Sequence, residues 1–222
     1  MSNWEYVILK FSRSNKKMLC VSLVISFLLN FVLCVSAKNY SDKIQNGLAN
    51  KIMRLHVLAN SDLNYDQDLK LKVRDEILNR FDKYLYKSKT KIQAKEILSK
   101  NLSEIKKIAR EIISKNGFDY NVQAMICHDN FPTKTYGDIT LPAGNYETLK
   151  IIIGKGKGHN WWCVMFPPLC FIDATKKTNS KNISKISKQK LKNLLSDDEY
   201  KIINYKNEKS MPIKIKFKIV EA

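Results

Sequence analysis

Residues Met18 to Ala37, MLCVSLVISFLLNFVLCVSA, form an uncharged apolar run, preceded by Lys10, Arg13, Lys16 and Lys17 and closed by the small residues Val35, Ser36 and Ala37. That layout is the one of an export signal. An uncharged stretch of about 20 residues also suffices to cross a bilayer, so residues 1–37 are either a signal peptide cut after Ala37 or an uncleaved anchor with its basic end in the cytoplasm. A buried core helix would need cover on every face, which a small chain with other apolar elements does not supply.

The chain has 222 residues, room for one globular domain beside the leader. Its 7 Gly and 5 Pro, 44% hydrophobic and 27% charged residues exclude collagenous, mucin-like and wholly disordered classes. The formal charge is +18, of which the leader holds a net +3, so +15 stays on the remainder. Beyond the cytoplasmic membrane such a domain meets anionic lipid headgroups or wall polymers, and a nucleic-acid partner is not expected there. Plain solubility explains the charge better than specific anion recognition does.

Outside the leader stand Cys127, Cys163 and Cys170. A tight reversal at Pro167 and Pro168 would bring Cys163 and Cys170 together as a disulfide, consistent with an oxidising compartment. Buried free thiols among Trp161, Trp162, Phe166 and Phe171 are the competing account.

Ile52 to Leu58 alternates, with Met53, Leu55 and Val57 on one side and Arg54 and His56 on the other, and predicts a half-buried strand ending at Asn60-Ser61-Asp62. Leu69, Val73, Ile77, Phe81 and Leu85 predict an amphipathic helix, and Thr90 with Gln93 caps a second one that runs to Asn116-Gly117. Further strands are expected around Tyr120–Ile126, Leu149–Ile153 and Trp161–Phe166, and PIKIKFKIV predicts an edge strand with one wet face. The expected fold is therefore α+β, a mixed, mainly antiparallel sheet with two helices packed on one face, preceded by the hydrophobic signal or anchor helix. The divisions are 1–37, a domain at 38–175, a mobile basic connection at 176–190, and a helix and edge strand completing the domain at 191–222.

Gly154, Gly156 and Gly158 follow a strand, but no helix opens after them and no Lys-Ser/Thr ending is present, so a hairpin turn with exposed Lys155 and Lys157 is the better reading than a phosphate loop. His56, His128, Asp129, His159 and Cys163 are zinc-ligand types whose spacing matches no short motif, and no metal, cofactor or catalytic residue is assigned. His56 reads as a surface or hydrogen-bonded residue. A Cys163 nucleophile with His128 or His159 as base needs geometry that spacing does not supply. LPAGN at Leu141 to Asn145 lacks the Thr and the C-terminal tail of a wall-sorting signal and reads as a turn. Trp161, Trp162 and Phe166 are weighted toward core over interface.

The segments RLHVLANSDLNYDQDLKLKVRDEIL, FPTKTYG, LPAGNYETLKIIIGKGKGHNWWCVMFPPLCF, spanning Arg54 to Asp173, resemble the stage II sporulation protein R family of endospore-forming bacteria. The resemblance is densest from Phe131 to Phe171 and departs from the family pattern at Thr148 and Lys155. It implies a non-enzymatic signalling protein exported across the forespore membrane into the intermembrane space, where it activates the mother cell's membrane-embedded peptidase that processes the sigma-E precursor. Arg54, His56, Asn60, Asp62, Lys134, Tyr136, Asn160, Trp161 and Trp162 are the motif positions open to contact with that partner. The rival class is an exported wall hydrolase working through Cys163, Asp62 or Asp129.

Overall fold

The computed structural model describes residues 3–170 and 188–204, and the chain divides after Ile44 into two compact units. The expected strand PIKIKFKIV and residues 176–187 of the expected connection lie outside the described residues.

The first unit is helical. Helix α1 (Asn3–Lys51) is continuous through the apolar run, and the side chains of Leu19, Phe27, Phe31 and Leu33 are exposed. Its 18-residue window of highest hydropathy averages 2.7 with 0% of it buried. A helix that is apolar on all sides and covered by nothing needs a lipid surround, so the segment fits a signal or an anchor.

The domain from Gln45 onward follows the order β1 (Met53–Leu58), α2 (Asn64–Lys87), α3 (Lys91–Lys100), α4 (Leu102–Lys115), β2 (Val122–Phe131), β3 (Lys134–Tyr136), β4 (Ile139–Leu141), β5 (Gly144–Ile153), β6 (Asn160–Phe166) and α5 (Asp197–Ile203). Residues 188–194 are also helical, so the expected connection ends before Lys188. The main sheet has order β2-β5-β1-β6, with β1 parallel to β5 and the other pairs antiparallel. This is the mixed, mainly antiparallel sheet of an α+β fold. Strands β3 and β4 form a separate hairpin whose turn uses Gly137 at φ 64°.

Leu69, Val73, Ile77, Phe81 and Leu85 of α2 are all buried, so their four-residue spacing does form the core stripe. Each such side chain contributes about 1.5–3 kcal/mol by leaving water. The second expected helix is two helices. Thr90 caps α3 by accepting from the Gln93 amide, but Gln93 Oε1 accepts from Lys89 N rather than closing a capping box on Thr90. The break falls at Asn101, whose side chain bonds the Ile97 carbonyl and so competes with the helix for that acceptor.

Two expectations fail for one reason, the central place of β1. The side of β1 that carries Arg54 and His56 is not wet, because both residues are buried. The glycine segment is not a hairpin turn either, since β1 lies between β5 and β6 and the loop must cross its end. That crossing is tight. Gly154 N donates to Asn121 O, Lys157 N to Asn60 O and Gly158 N to Ala59 O, while Lys155 and Lys157 are exposed as expected.

Gly158 has no room for a side chain, because a Cβ there would run into the Ser61 carbonyl, a backbone atom that cannot rotate away. Gly158→Ala should therefore destabilise the domain by about 1–3 kcal/mol. Gly117, at φ 80° with open space around it, should accept Asn with little loss. Denaturant midpoints of the two variants check the contrast, and equal midpoints would contradict it.

Candidate functional site

The register of β1 against β5 and β6 sets Arg54 beside Thr148 and Val164, and His56 beside Lys150 and Trp162, on the sheet face turned away from α2. A polar side chain buried there must find its partners in the protein. Arg54 is 0% exposed. Its Nε donates to Cys163 O at 3.2 Å and its Nη2 to the Tyr136 hydroxyl at 3.2 Å. Tyr136 in turn donates to Trp162 O. The guanidinium carbon lies 4.2 Å from the Phe131 ring centroid and 5.0 Å from that of Tyr146, so aromatic faces stand where a carboxylate is usual. Burial pulls the Arg54 pKa below its ordinary value and pushes the Tyr146 phenol up to about 12.

His56 stacks on Trp162 with ring centroids 3.6 Å apart. Its Nδ1 meets Asp129 Oδ2 at 2.8 Å and its Nε2 meets the Asn160 side chain at 3.0 Å. Lys150 Nζ reaches the same Asp129 oxygen at 2.8 Å. Burial lowers the His56 pKa, against the opposing pull of its bonds to Asn160 and Asp129. Burial alone would raise the Asp129 pKa, yet the bonds from Lys150 and His56 hold it below the usual range. With both ring nitrogens engaged, His56 has no lone pair to offer a substrate. It acts here as a fastening between β1, β2 and β6.

A second cluster caps the carboxyl ends of the parallel strands β1 and β5. Asn60 Oδ1 accepts from Lys155 N, and its amide donates to Asp66 Oδ2, which also takes the Ser61 hydroxyl. Gln67 donates to Ser61 O and Lys70 to His159 O. Asp62, exposed, accepts from the His159 backbone and ring. Trp161 faces the helices, with the Arg74 guanidinium 3.9 Å from its ring centroid.

The motif positions thus separate into two groups. Arg54, His56, Tyr136, Asn160 and Trp162 converge on the face away from α2. Asn60 and Asp62 belong to the loop cluster, Trp161 lies beneath α2, and Lys134 begins the hairpin, half-buried. Arg54 and Tyr136 are fully buried, so they act on a partner only by positioning their neighbours. Phe166 is core, whereas Trp161 and Trp162 are half-buried on opposite faces. The spacing of residues gave no sign of Phe131, Asp129 and Lys150 as partners of β1, because each depends on the β2-β5-β1 order. Alternation alone could have placed Asp129 and Phe131 on one face of β2.

Cys163 and Cys170 form a disulfide with Cα atoms 5.3 Å apart, which removes Cys163 as a thiolate nucleophile. His128 is exposed, His159 sits in the loop cluster, and no group of three metal-ligand residues occurs among the described residues. Cys127 is a free thiol whose pKa is raised by burial and by Asp129. An open cavity of about 680 Å³ beside α3 is lined by Lys91, Lys95 and Glu147 and by none of the motif positions.

The pH dependence follows from these groups. A buried histidine with a lowered pKa contributes stability that is full above its unfolded value near 6.5 and is lost as pH falls toward the folded value. Asp129 and Glu147, both held below the carboxylate range, add a loss only at lower pH. Acid unfolding of the full chain in neutral detergent should therefore begin near pH 6.5. His56→Phe, which keeps the stack on Trp162, should erase that first limb and keep the lower one. A first limb unchanged in the variant would refute the assignment.

A family model described as stage II sporulation protein R matches residues 49–176. The stage II sporulation protein R of Bacillus subtilis (strain 168) is 34% identical over 216 residues, which cover 93% of this chain and 96% of that protein. No solved structure matches. The matched segment contains both clusters, the disulfide and all four strands of the main sheet, and the chain belongs to the stage II sporulation protein R family.

Proposed function

We propose that this protein is an exported messenger of endospore formation that activates the membrane-embedded peptidase processing the sigma-E precursor, and that it does so by binding rather than catalysis. The observation that carries the reading is the union, in one chain of this family, of an uncovered apolar leader helix with a folded basic domain. A signal that must act across a membrane needs an export route, and residues 1–37 supply one, as a cut signal or as a tether in the intermembrane space.

Two features support binding. The Cys163 sulfur is committed to Cys170, and of its two base candidates His159 is held by Asp62. Activation then works through population. A partner with inactive and active arrangements moves toward the active one only by the ratio of its affinities for this protein in the two states. The formal charge of +15 that remains outside the leader supports an additional hold on anionic lipid or wall surfaces near the partner.

Co-production of the chain with the peptidase and the precursor in a non-sporulating host, with and without residues 1–37, tests activation and export together. Processing is expected only with the full chain. Processing that proceeds equally in its absence would end the proposal. Asp62→Ala should keep most of the activity, whereas a hydrolase using that carboxylate would lose about a hundredfold or more.

A further inference from the structure

The sheet has two edges, and they are treated differently. On β6 the Val164 carbonyl accepts from Leu169 N and the Trp162 carbonyl from the Tyr136 hydroxyl, so two carbonyls of that edge are met within the domain. Among the described residues the β2 edge has no such cover. Gly154 N bonds to Asn121 O, which fixes the phase of the β2–β5 ladder. In an antiparallel pair the residues alternate between exchanging both bonds with the partner strand and pointing both groups away from it. Residues 121, 123, 125, 127 and 129 therefore bond to β5, and Val122, Ala124, Ile126, His128 and Asn130 turn their N–H and C=O groups outward.

Among the described residues the outward groups from Val122 to His128 have no partner, and only Asn130 N is taken, by Asp129 Oδ1. Proteins usually blunt a long edge with Lys, Pro or a bulge. β2 runs ten residues in unbroken register with no Lys and no Pro. Its side chains leave the approach open, since Gln123 and His128 are exposed and Met125, Ile126 and Cys127 half-buried.

We infer that the β2 edge is a docking site for an extended, acidic segment of a partner polypeptide, which adds to the sheet as a fifth strand beside β2. Strand addition draws its affinity from main-chain bonds, and the free groups of Val122, Ala124, Ile126 and His128 supply them. Charge selects the occupant. α3 and α4, the helices that pack against β2, carry Lys100, Lys106, Lys107, Arg110 and Lys115 against Glu96, Glu104 and Glu111, while Lys91 and Lys95 are both paired with Glu147. Two copies of this chain pairing edge to edge would bring two such basic surfaces together, whereas an acidic strand is attracted to one. The inference rests on the ladder phase and the helix charges, and stands whichever protein the partner is.

Residue-level hydrogen exchange on the full chain in nanodiscs of neutral lipid tests it. The probes are two nine-residue peptides, one alternating Glu with Val and one alternating Lys with Val. The Glu peptide, at up to millimolar concentration, should slow exchange at Ala124, Ile126 and His128 by about tenfold or more, leaving the already bonded Met125 and Cys127 amides unchanged. The Lys peptide should do nothing. Ile126→Pro removes an outward donor without touching a bond to β5 and should abolish the effect. His128→Pro does the same at an exposed position and serves if the first variant misfolds. Unchanged exchange at the outward amides, an equal response to the Lys peptide, or protection that grows with protein concentration without peptide would each overturn the proposal.

Discussion

The domain depends on β1, a six-residue strand with neighbours on both edges and layers on both faces. Its sequence alternates as if one face met water, yet Arg54 and His56 are inside. A buried cation and a buried imidazole are costly unless their polar atoms are met, so their needs dictate much of what surrounds them, and of the Arg54 nitrogens only Nη1 has no hydrogen-bond partner among the described residues. Arg54 gathers a β6 carbonyl, the hairpin hydroxyl of Tyr136 and the rings of Phe131 and Tyr146. His56 gathers Asp129, Asn160 and Trp162, and Asp129 brings in Lys150. The partners come from β2, β5, β6 and the hairpin. Specificity of strand order thus comes from polar matching on one face and apolar packing on the other.

The loops at the carboxyl ends of β1 and β5 follow the same logic on a smaller scale. Because β5 must pass over β1 to reach β6, the Gly154–His159 segment lies directly on the Asn60–Asp62 turn. Asn60 holds both sides, accepting from Lys155 and donating to Asp66. The glycines are there for proximity: at Gly154 a Cβ would meet the Asn60 side chain, and its φ of +57° is one that other residues rarely adopt. A run that looks like a phosphate cradle is a crossing point between two backbones, and its amides are spent on the neighbouring turn.

Local signals were legible wherever local physics decides. The four-residue stripe of α2 and the Thr90 cap are set by neighbours in sequence, and both stand in the fold. The α+β class was also readable, since the order of periodicities limits the layers. What failed was non-local. Nothing near Arg54 states that β5 lies on one side of it and β6 on the other, so an alternating strand was read as having a wet face. Asn101 was missed as a helix break because its competing bond, to the Ile97 carbonyl, leaves no gap in the apolar stripe. The motif residues were found, but their division between a sheet face and a loop cluster depends on pairing that only the fold supplies.

The leader and the disulfide are each compatible with export, the leader through its uncharged length and Cys163–Cys170 as a bond that persists where thiols are not kept reduced. The Cys163 carbonyl is also the acceptor for Arg54, so the disulfide fixes the β6 segment on which the buried cation relies. The third thiol does not interfere. Burial and the charge of Asp129 raise the Cys127 pKa, which keeps it protonated and slow to attack a disulfide. The central polar cluster thus leans on an oxidised pair, in a chain whose N-terminal apolar helix fits a signal or an anchor.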